Sequence, residues 1–462
     1  MQFAGRALAV TLGLLTLAMM TRALGDFGFG EFTTAVTYLQ ILTVLVDFGL
    51  TLMFIQLLGK PDADEARIGS ALLGLRLASA AIFLGIGALL ALLTPYSLTI
   101  KLAILAGTIS YLALTSSGML VGLFQKHLAI NRVVIAELVN RTIVLVLVAL
   151  FAMKGAGVIA MVVAVGVGNL IQLFITFLFA QQFALVRPSV DLPLWISTLK
   201  QSWPIGLSTF FNLIYLKSDI MILGLYFPQS DVGVYGAAYR VIDVFTALPV
   251  MYVGLVLPHL TLAWARKERQ TFTSYLQTTF DFFAMLSIPI LVGSALVGAP
   301  LMEWIAGPEF TLSGHVLPVL MLTMPAIFFG ALTGHAIIAL EKQRQILWAY
   351  VLTAVVSLVG YFLLIPLFGI WGAAWMTVLS EYLINLITAL VVFRTARYCP
   401  RVLVLGKAIL GSVIMALVLS VLPDWHVLIL VAVGITVYGA SLMVVGAVTP
   451  TQVRRLLLQK SV

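Results

Sequence analysis

Charged side chains inside long apolar runs are the residues of this chain that could do chemistry. The cations among them are Arg76, Arg141, Lys217 and Arg240. Because a charge near the centre of a bilayer costs about 3 kcal/mol or more, charges in apolar runs of membrane length are functional candidates. Arginine binds phosphate oxygens with a bidentate fork, and lysine binds them as a point charge. The four cations therefore predict a binding site for an anionic ligand, such as one with phosphate oxygens.

Local ion pairs would explain two of these cations without any ligand. Glu137 and Arg141 are four residues apart, and Arg240 and Asp243 are three residues apart. Both spacings put the two side chains on one face of a helix, where they can pair with each other. The sequence leaves both explanations open for Arg141 and Arg240.

Lys217 and Arg76 have no such partner in their own apolar runs. Asp219 lies two residues after Lys217 and therefore on nearly the opposite face of a helix. We expect Lys217 to contact another helix, a cavity or a ligand. Arg76 has no acid at helical spacing, so it either faces the binding site or extends toward the cytoplasmic surface.

Two carboxylates, Asp47 and Glu381, fall near the middle of apolar runs and on polar helix faces. A carboxylate is expensive there, which suits reversible protonation or ion binding in a transporter driven by H⁺ or Na⁺. A fixed salt bridge is the main alternative, and for Asp47 its partner would be Arg76 or Arg141.

Further polar residues near these charges are expected to support the site, namely Asn140, Asn212, Asp219, Asp243 and Asn385. Some belong to polar stripes at helical spacing, as Asn212 and Asp219 do with Ser208 and Tyr215. Such stripes can instead hold helices together by hydrogen bonds, and for the neutral residues this interpretation is preferred.

Metal and nucleotide chemistry are not expected. The five histidines are scattered, and no two have the spacing of zinc ligands on a helix. There is no glycine-rich Walker loop, so we do not expect ATP hydrolysis. The sequence predicts a protein without cofactor or metal.

The elements that position these residues are membrane spans. The chain is 462 residues long, 62% hydrophobic and 10% charged, whereas soluble domains carry about 25% charged residues. About fourteen runs reach the roughly 20 apolar residues that a spanning helix needs. They lie at 3–23, 32–58, 69–93, 98–123, 133–153, 156–180, 203–226, 233–262, 274–299, 314–340, 346–366, 370–393, 403–422 and 425–448. The predicted fold is an all-α polytopic membrane protein with no room for a soluble catalytic domain.

The net charge of +8 is explained by topology. With the N-terminus in the cytoplasm, the outer side receives only Arg22, Lys101 and Lys154 of the loop cations. This bias is the positive-inside pattern. It predicts an inner-membrane protein with both termini in the cytoplasm, and nucleic acid is not expected as a partner.

An internal repeat divides the chain. Gly30-Glu31-Phe32 opens the second span and Gly233-Val234-Tyr235 opens the eighth, and other weak matches follow in the same order. We predict two pseudo-symmetric six-helix lobes around a central cavity, with access alternating by rocking. The predicted parts are an N-lobe at 1–181, a cytoplasmic linker at 182–202, a C-lobe at 203–397, and two additional helices with a cytoplasmic tail at 398–462.

Three stretches carry a resemblance to a known family. They are 21–32 (TRALGDFGFGEF), 219–249 with GVYGAAYR inside it, and 307–310 (GPEF). The chain resembles the polysaccharide flippases, the Wzx-type or O-antigen branch of the multidrug/oligosaccharidyl-lipid/polysaccharide (MOP) exporter superfamily. One departure is the short lead-in before the first span.

The resemblance implies a function that hydropathy cannot supply. Members of the family move an undecaprenyl-pyrophosphate-linked oligosaccharide from the cytoplasmic to the outer leaflet, driven by a proton or sodium gradient. The expected partners are that glycan lipid, the surrounding membrane lipids, H⁺ or Na⁺, and the glycosyltransferases and polymerase of a glycan pathway.

Two other functions stay open at this point. A multidrug or cation antiporter of the same superfamily would share the fold, but its cavity would favour acids over cations. A membrane-embedded glycosyltransferase or glycan ligase would need a substantial exposed loop. The longest outer connection, at about 300–313, is too short for such a domain, so the expected class is a transporter and not an enzyme.

Overall fold

The computed structural model describes residues 2–60, 62–423 and 425–447, and within these ranges the regular structure is helical. Twelve helices of the described chain are long and apolar enough to cross a membrane, or thirteen when one bent pair is counted as a single span. The first of them contains two of the predicted spans. The predicted class, an all-helical membrane protein of about fourteen spans, is confirmed.

The helices follow the predicted spans closely. They are α1 Gln2–Asp47, α2 Leu50–Leu58, α3 Glu65–Ala91, α4 Leu98–Lys126, α5 Ile130–Met153, α6 Val158–Ala180, α7 Leu192–Tyr226, α8 Gln229–Ala265, α9 Arg269–Ala306, α10 Thr311–Met321, α11 Thr323–Ala339, α12 Gln343–Phe368, α13 Ile370–Ala396, α14 Leu403–Ser420 and α15 Val427–Val444. The predicted cytoplasmic tail beyond residue 447, with Lys460, lies outside the described residues.

Two breaks interrupt the first predicted pair of spans. Gly25 inside α1 has φ 67° and ψ −178°, a conformation that only glycine adopts easily. Phe48 and Gly49 both have positive φ and separate α1 from α2. The second predicted span, 32–58, is therefore a broken helix, and Asp47 lies at the break.

The tenth predicted span, 314–340, is also broken. The segments Pro308–Met321 and Thr323–Ala339 meet at an angle of 43°. Irregular backbone at membrane depth occurs where it is covered by protein, and Met321 and Thr323, which flank the break, are buried.

Helix α7 begins eleven residues before the predicted span, inside the predicted linker. Asp191 caps it, because its carboxylate accepts a hydrogen bond from the Leu194 N–H at 3.1 Å. That bond, together with the Arg67 guanidinium 2.9 Å away, lowers the pKa of Asp191 from its ordinary value. The second half of the linker is thus a helical extension of the seventh span.

The linker is fastened to α3 by several contacts. The backbone N–H groups of Arg187 and Ser189 donate to the hydroxyl and carbonyl of Ser70, at 2.9 and 3.0 Å. The Trp195 indole donates to the Ala71 carbonyl at 2.7 Å. A Cβ on Gly74 would lie 2.1 Å from the Ser189 carbonyl oxygen, so only glycine allows this approach. These contacts hold the linker against the helix that carries Arg76.

The chain forms two compact units. The first takes the residues up to Gly236 together with Ile305–Gly307 and Ala354–Ala373. The second takes Ala237–Trp304, Pro308–Thr353 and the residues from Ala374 on. The lobe boundaries inferred from the repeat stay a prediction.

Candidate functional site

Arg76 forms a buried ion pair with Asp47 in the first unit. Its side chain is 1% exposed, and Nη2 lies 2.5 Å from Asp47 Oδ1 and donates to Thr51 Oγ1 at 2.8 Å. The Thr51 hydroxyl donates to the same carboxylate, and Gly49 N–H donates to its other oxygen at 3.2 Å. The break at Phe48–Gly49 makes this possible, because it frees a backbone N–H beside the carboxylate. The salt bridge between Arg76 and Asp47, which the sequence left open as the alternative role of Asp47, is therefore formed in this structure.

Arg141 is an exposed cation in the middle of α5. Its Nη1 lies 3.8 Å from the position that a Cβ on Gly13 of α1 would occupy, so the guanidinium lies beside α1. No ion pair joins it to Glu137 within the described part of the chain. The ion pair with Glu137 that the spacing allowed is therefore not formed. The guanidinium of Arg141 is exposed beside α1 and α5, where it can bind an anion.

Helix α7 carries Lys217 together with a set of buried hydrogen bonds. Lys217 is half-buried. The Asn212 amide donates to the Tyr215 hydroxyl at 2.8 Å. Asp219 is fully buried and accepts from the Tyr235 hydroxyl at 2.7 Å. Sequence reasoning missed Tyr235, although it lies inside the GVYGAAYR stretch that carried the family resemblance.

Asn140 lies in an interhelical hydrogen-bond network. Its amide donates to the side chains of Asn169, at 3.0 Å, and Gln172, and Asn169 in turn donates to Ser110 at 2.9 Å. A Cβ on Gly168 would lie 2.4 Å from Asn140 Oδ1, so glycine makes room for the amide. The network links α4, α5 and α6, as expected for polar groups that hold membrane helices together.

Arg240 and Asp243 form a loose pair in the second unit. Arg240 Nη1 and Asp243 Oδ2 are 3.9 Å apart, and the two side chains are 32% and 41% exposed. Such an exposed pair at i,i+3 spacing contributes little to stability. Arg240 therefore keeps much of its capacity to bind an anion.

Glu381 and Asn385 place two buried oxygens one turn apart on α13. Glu381 is 6% exposed. Glu381 Oε1 and Asn385 Oδ1 are both buried without a hydrogen-bond partner among the described residues. Tyr350 of α12 is close enough to Glu381 to interact with it electrostatically. Since unpaired buried acceptors are costly, the pair suits a proton or a small cation.

A cavity of about 150 Å³ lies beside Asn385 in the same unit. Its walls are mainly aromatic and aliphatic, from Phe280, Phe329, Leu332 and Phe393. The only polar groups of α11 and α13 in its lining are Thr333 and Asn385, and the Thr333 hydroxyl is hydrogen-bonded to Thr388 at 2.8 Å.

Comparison with known proteins identifies the family. Residues 3–264 match the family described as polysaccharide biosynthesis protein, which is more than half of the chain. The chain belongs to this family. All three cations of the first unit that the sequence singled out, Arg76, Arg141 and Lys217, fall inside the matched region.

Relatives of this chain are named as flippases and transporters. A Haloferax volcanii protein named as the low-salt glycan biosynthesis flippase Agl15 is 27% identical over 37% of this chain and 37% of its own length. A protein of the same organism named as the flippase AglR is 25% identical over 57% of this chain and 55% of its own length. A Shigella dysenteriae protein named as an O-antigen transporter is 24% identical over 80% of this chain and 93% of its own length. The chain thus spans about a third to a half of the two Haloferax relatives.

Solved structures share the fold of this family member. The lipid II flippase MurJ in an inward closed conformation has a TM-score of 0.79 at 14% identity, over 96% of this chain and 97% of that chain. An inward-facing multidrug resistance MATE transporter of the MOP superfamily has a TM-score of 0.64 at 14% identity, over 84% of this chain and 94% of that chain. The predicted family resemblance is confirmed, and the fold is shared by flippases and drug exporters alike.

Proposed function

We propose that this protein carries a lipid-linked oligosaccharide, joined to undecaprenyl pyrophosphate, from the cytoplasmic to the outer leaflet of the cytoplasmic membrane. The observation that carries the proposal is the match over 80% of the chain to a protein named as an O-antigen transporter, of which it covers 93%. The relatives are named as flippases and transporters, so the activity is transport and not glycosyl transfer.

The charges support a pyrophosphate ligand. Arg141 is exposed in the middle of a spanning helix and forms no ion pair with another described residue, and Lys217 is half-buried on α7. A doubly charged pyrophosphate would lower the cost of keeping such cations at membrane depth, and arginine would bind its oxygens through two parallel hydrogen bonds. A multidrug exporter of the same fold would carry cations, which these side chains would repel. The anionic glycan lipid is therefore the preferred substrate class.

Transport by the purified protein tests the proposal. Liposomes containing the protein and a fluorescent polyprenyl-pyrophosphate oligosaccharide should expose the glycan to an impermeant quencher faster than empty liposomes. A cationic dye loaded into the same liposomes serves as the competing substrate. Movement of the dye without movement of the glycan would favour the multidrug alternative, and incorporation of labelled sugar would favour an enzyme.

Orientation and partners follow from the charge pattern and the family. We infer that both termini are cytoplasmic and that glycosyltransferases on the cytoplasmic side and a glycan polymerase outside act before and after this step. Reporter fusions at Lys200 and at Lys460 should both give cytoplasmic signals, since the loop cations concentrate on that side. A periplasmic signal at either position would overturn the topology.

If an ion gradient drives transport, Glu381 is a better candidate for the coupling group than Asp47. The oxygens of Asp47 are occupied by Arg76, Thr51 and Gly49, whereas Glu381 Oε1 has no partner among the described residues. A carboxylate without a partner is stable in the membrane only when it binds a proton or a cation. Glu381 is therefore the group that we expect to exchange H⁺ or Na⁺ during transport.

Neutralising Glu381 should uncouple transport from the gradient. A carrier coupled to one proton should change its accumulation ratio by about tenfold for a pH step of about one unit, because a tenfold ratio corresponds to about 1.4 kcal/mol. Glu381→Gln keeps the shape and removes the titratable group, so the variant should show downhill exchange that ignores the step. Glu303→Gln, at an exposed carboxylate of α9, is the matched control. If transport by Glu381→Gln responds to both pH and sodium steps as the parent does, Glu381 has a structural role and is not the coupling group.

A further inference from the structure

A second cavity, of about 710 Å³, lies between the end of α2, the start of α3 and the first turns of α7. Its size falls within the range of about 300–1,000 Å³ that small-molecule sites occupy. The apolar part of its wall includes Leu57, Ile68 and Leu194. None of the cations proposed above for the transported lipid is among the described residues that line it. The cavity is therefore separate from the groups proposed to bind the cargo.

The charges of the cavity wall balance one another. Two cations, Lys60 and Arg67, and two carboxylates, Asp62 and Asp64, line it. Asp64 is already engaged, because it caps α3 by accepting a hydrogen bond from the Arg67 N–H at 3.0 Å. Lys60 and Asp62 are exposed, and neither forms an ion pair with another described residue. A cation and a carboxylate of the wall are therefore available to a ligand.

Arg67 is held in place with part of its guanidinium free. Its Nε and Nη2 both lie 2.9 Å from Asp191 Oδ2. Because a guanidinium has five N–H groups, this contact leaves the N–H groups of Nη1 for a second acceptor. Phosphate oxygens are acceptors that arginine binds well. A phosphate between Arg67 and Lys60 would thus meet a donor that Asp191 has already oriented.

The cavity lies where lipid head groups are expected. Helix α2 ends at Leu58 and α3 begins at Glu65, at the ends of two predicted spans and on the cytoplasmic side in the orientation proposed above. Exposed apolar side chains follow one another along α7 beside the cavity, at Leu192, Ile196, Leu199 and Trp203. Their spacing of three and four residues puts them on one helix face. A polar cavity beside an exposed apolar face fits a molecule with a charged head and apolar chains.

We propose that this cavity binds the head group of a phosphatidylethanolamine-type lipid of the cytoplasmic leaflet. The lipid phosphate binds between Lys60 and Arg67, its ammonium group binds Asp62, and its chains cover the apolar face of α7. A zwitterionic head group matches a wall whose charges sum to zero. A purely anionic head group would instead face the unpaired carboxylate of Asp62, which repels it. This lipid is a resident of the membrane and not the cargo, so its binding can be measured whatever the protein transports.

Lipid binding to the purified protein in detergent, followed by native mass spectrometry, tests the head-group assignment. Dioleoyl phosphatidylethanolamine should bind about fivefold more tightly than the matching phosphatidylglycerol or phosphatidylcholine, which is the gain from one hydrogen bond. Asp62→Asn should lose this preference and still bind phosphatidylglycerol. Lys60→Ala should weaken the binding of both phosphatidylethanolamine and phosphatidylglycerol about fivefold, since both carry the phosphate. Lys200→Ala removes an exposed cation of α7 outside the cavity lining and should bind lipid as the parent does.

A soluble head group separates a lipid from a free phosphate ester. Glycerophosphoethanolamine has the same head group without chains, so it should displace the lipid only at a concentration about a hundredfold higher or more, because it gains nothing from the apolar face of α7. Displacement at equal concentrations would mean that the lipid is not the ligand. Tighter binding of phosphatidylglycerol than of phosphatidylethanolamine by the parent, or an unchanged preference in Asp62→Asn, would overturn the head-group assignment.

Thiol protection tests where the lipid binds. The chain has one cysteine, Cys399, which Cys399→Ser removes. In that background Ser197→Cys puts a thiol in the cavity wall, and Lys200→Cys puts one outside it on the same helix. Phosphatidylethanolamine should slow maleimide labelling of Ser197→Cys at least about fivefold relative to phosphatidylcholine, because the bound head group covers the thiol. Labelling of Lys200→Cys should not change. Equal labelling of Ser197→Cys in the two lipids, with phosphatidylethanolamine bound, would place the lipid elsewhere and overturn the proposal.

Discussion

Replacing Arg141 with alanine should reduce glycan flipping about 10- to 100-fold, because a hydrogen bond to a charged group is worth about 1.5–3 kcal/mol. The residue is exposed in the middle of α5 and has no ion pair among the described residues, so its removal leaves no buried charge behind. The protein should accumulate normally. Flipping in proteoliposomes, normalised to the amount of reconstituted protein, measures the effect.

Two controls identify the chemistry at Arg141. Arg141→Lys keeps the charge and loses the bidentate fork, so partial rescue would indicate a point-charge contact and no rescue a bidentate one. Lys154→Ala removes an exposed cation at the end of the same helix and should leave flipping at the parental rate. If Arg141→Ala flips the glycan lipid at the parental rate, Arg141 does not contact the substrate.

Replacing Arg76 with methionine should destabilise the protein strongly. Removing one partner of a buried ion pair costs about 3–5 kcal/mol, and because Asp47 is 30% exposed we expect the lower end. The double variant Arg76→Met, Asp47→Asn should recover part of the loss, since neither charge is then left alone. Thermal unfolding in detergent, followed by the fraction of monodisperse protein, measures both effects.

A second arginine of α3 provides the matched control. Arg67 also pairs with an aspartate, Asp191, at 2.9 Å, but its side chain is 65% exposed. An exposed pair contributes little to stability, so Arg67→Met should hardly change the unfolding temperature. Equal losses for Arg67→Met and Arg76→Met would mean that burial does not set the strength of the Arg76 pair. If Arg76→Met instead accumulates normally but no longer flips the glycan lipid, Arg76 contacts the substrate.

Hydropathy alone was enough to predict the class and the span pattern of this protein. Hydropathy at membrane length allows few alternatives to helices, because backbone groups in lipid must bond within their own segment. The bounds of most predicted spans therefore agree with the helices of the structure. The family was visible in short stretches such as TRALGDFGFGEF, whose glycines allow the turn at Gly25 and the close approach of α8 at Gly30.

Which charges are paired depends on how the helices pack against one another. Arg76 and Asp47 are 29 residues apart, and Arg141 and Glu137 are four residues apart, yet the distant pair forms and the near one does not. Helical spacing shows which side chains share a face but not what the neighbouring helix places opposite them. Contacts between helices, like the one between Gly30 of α1 and Gly233 of α8, depend on backbone approach in three dimensions, and a glycine in the sequence does not reveal which backbone will come that close.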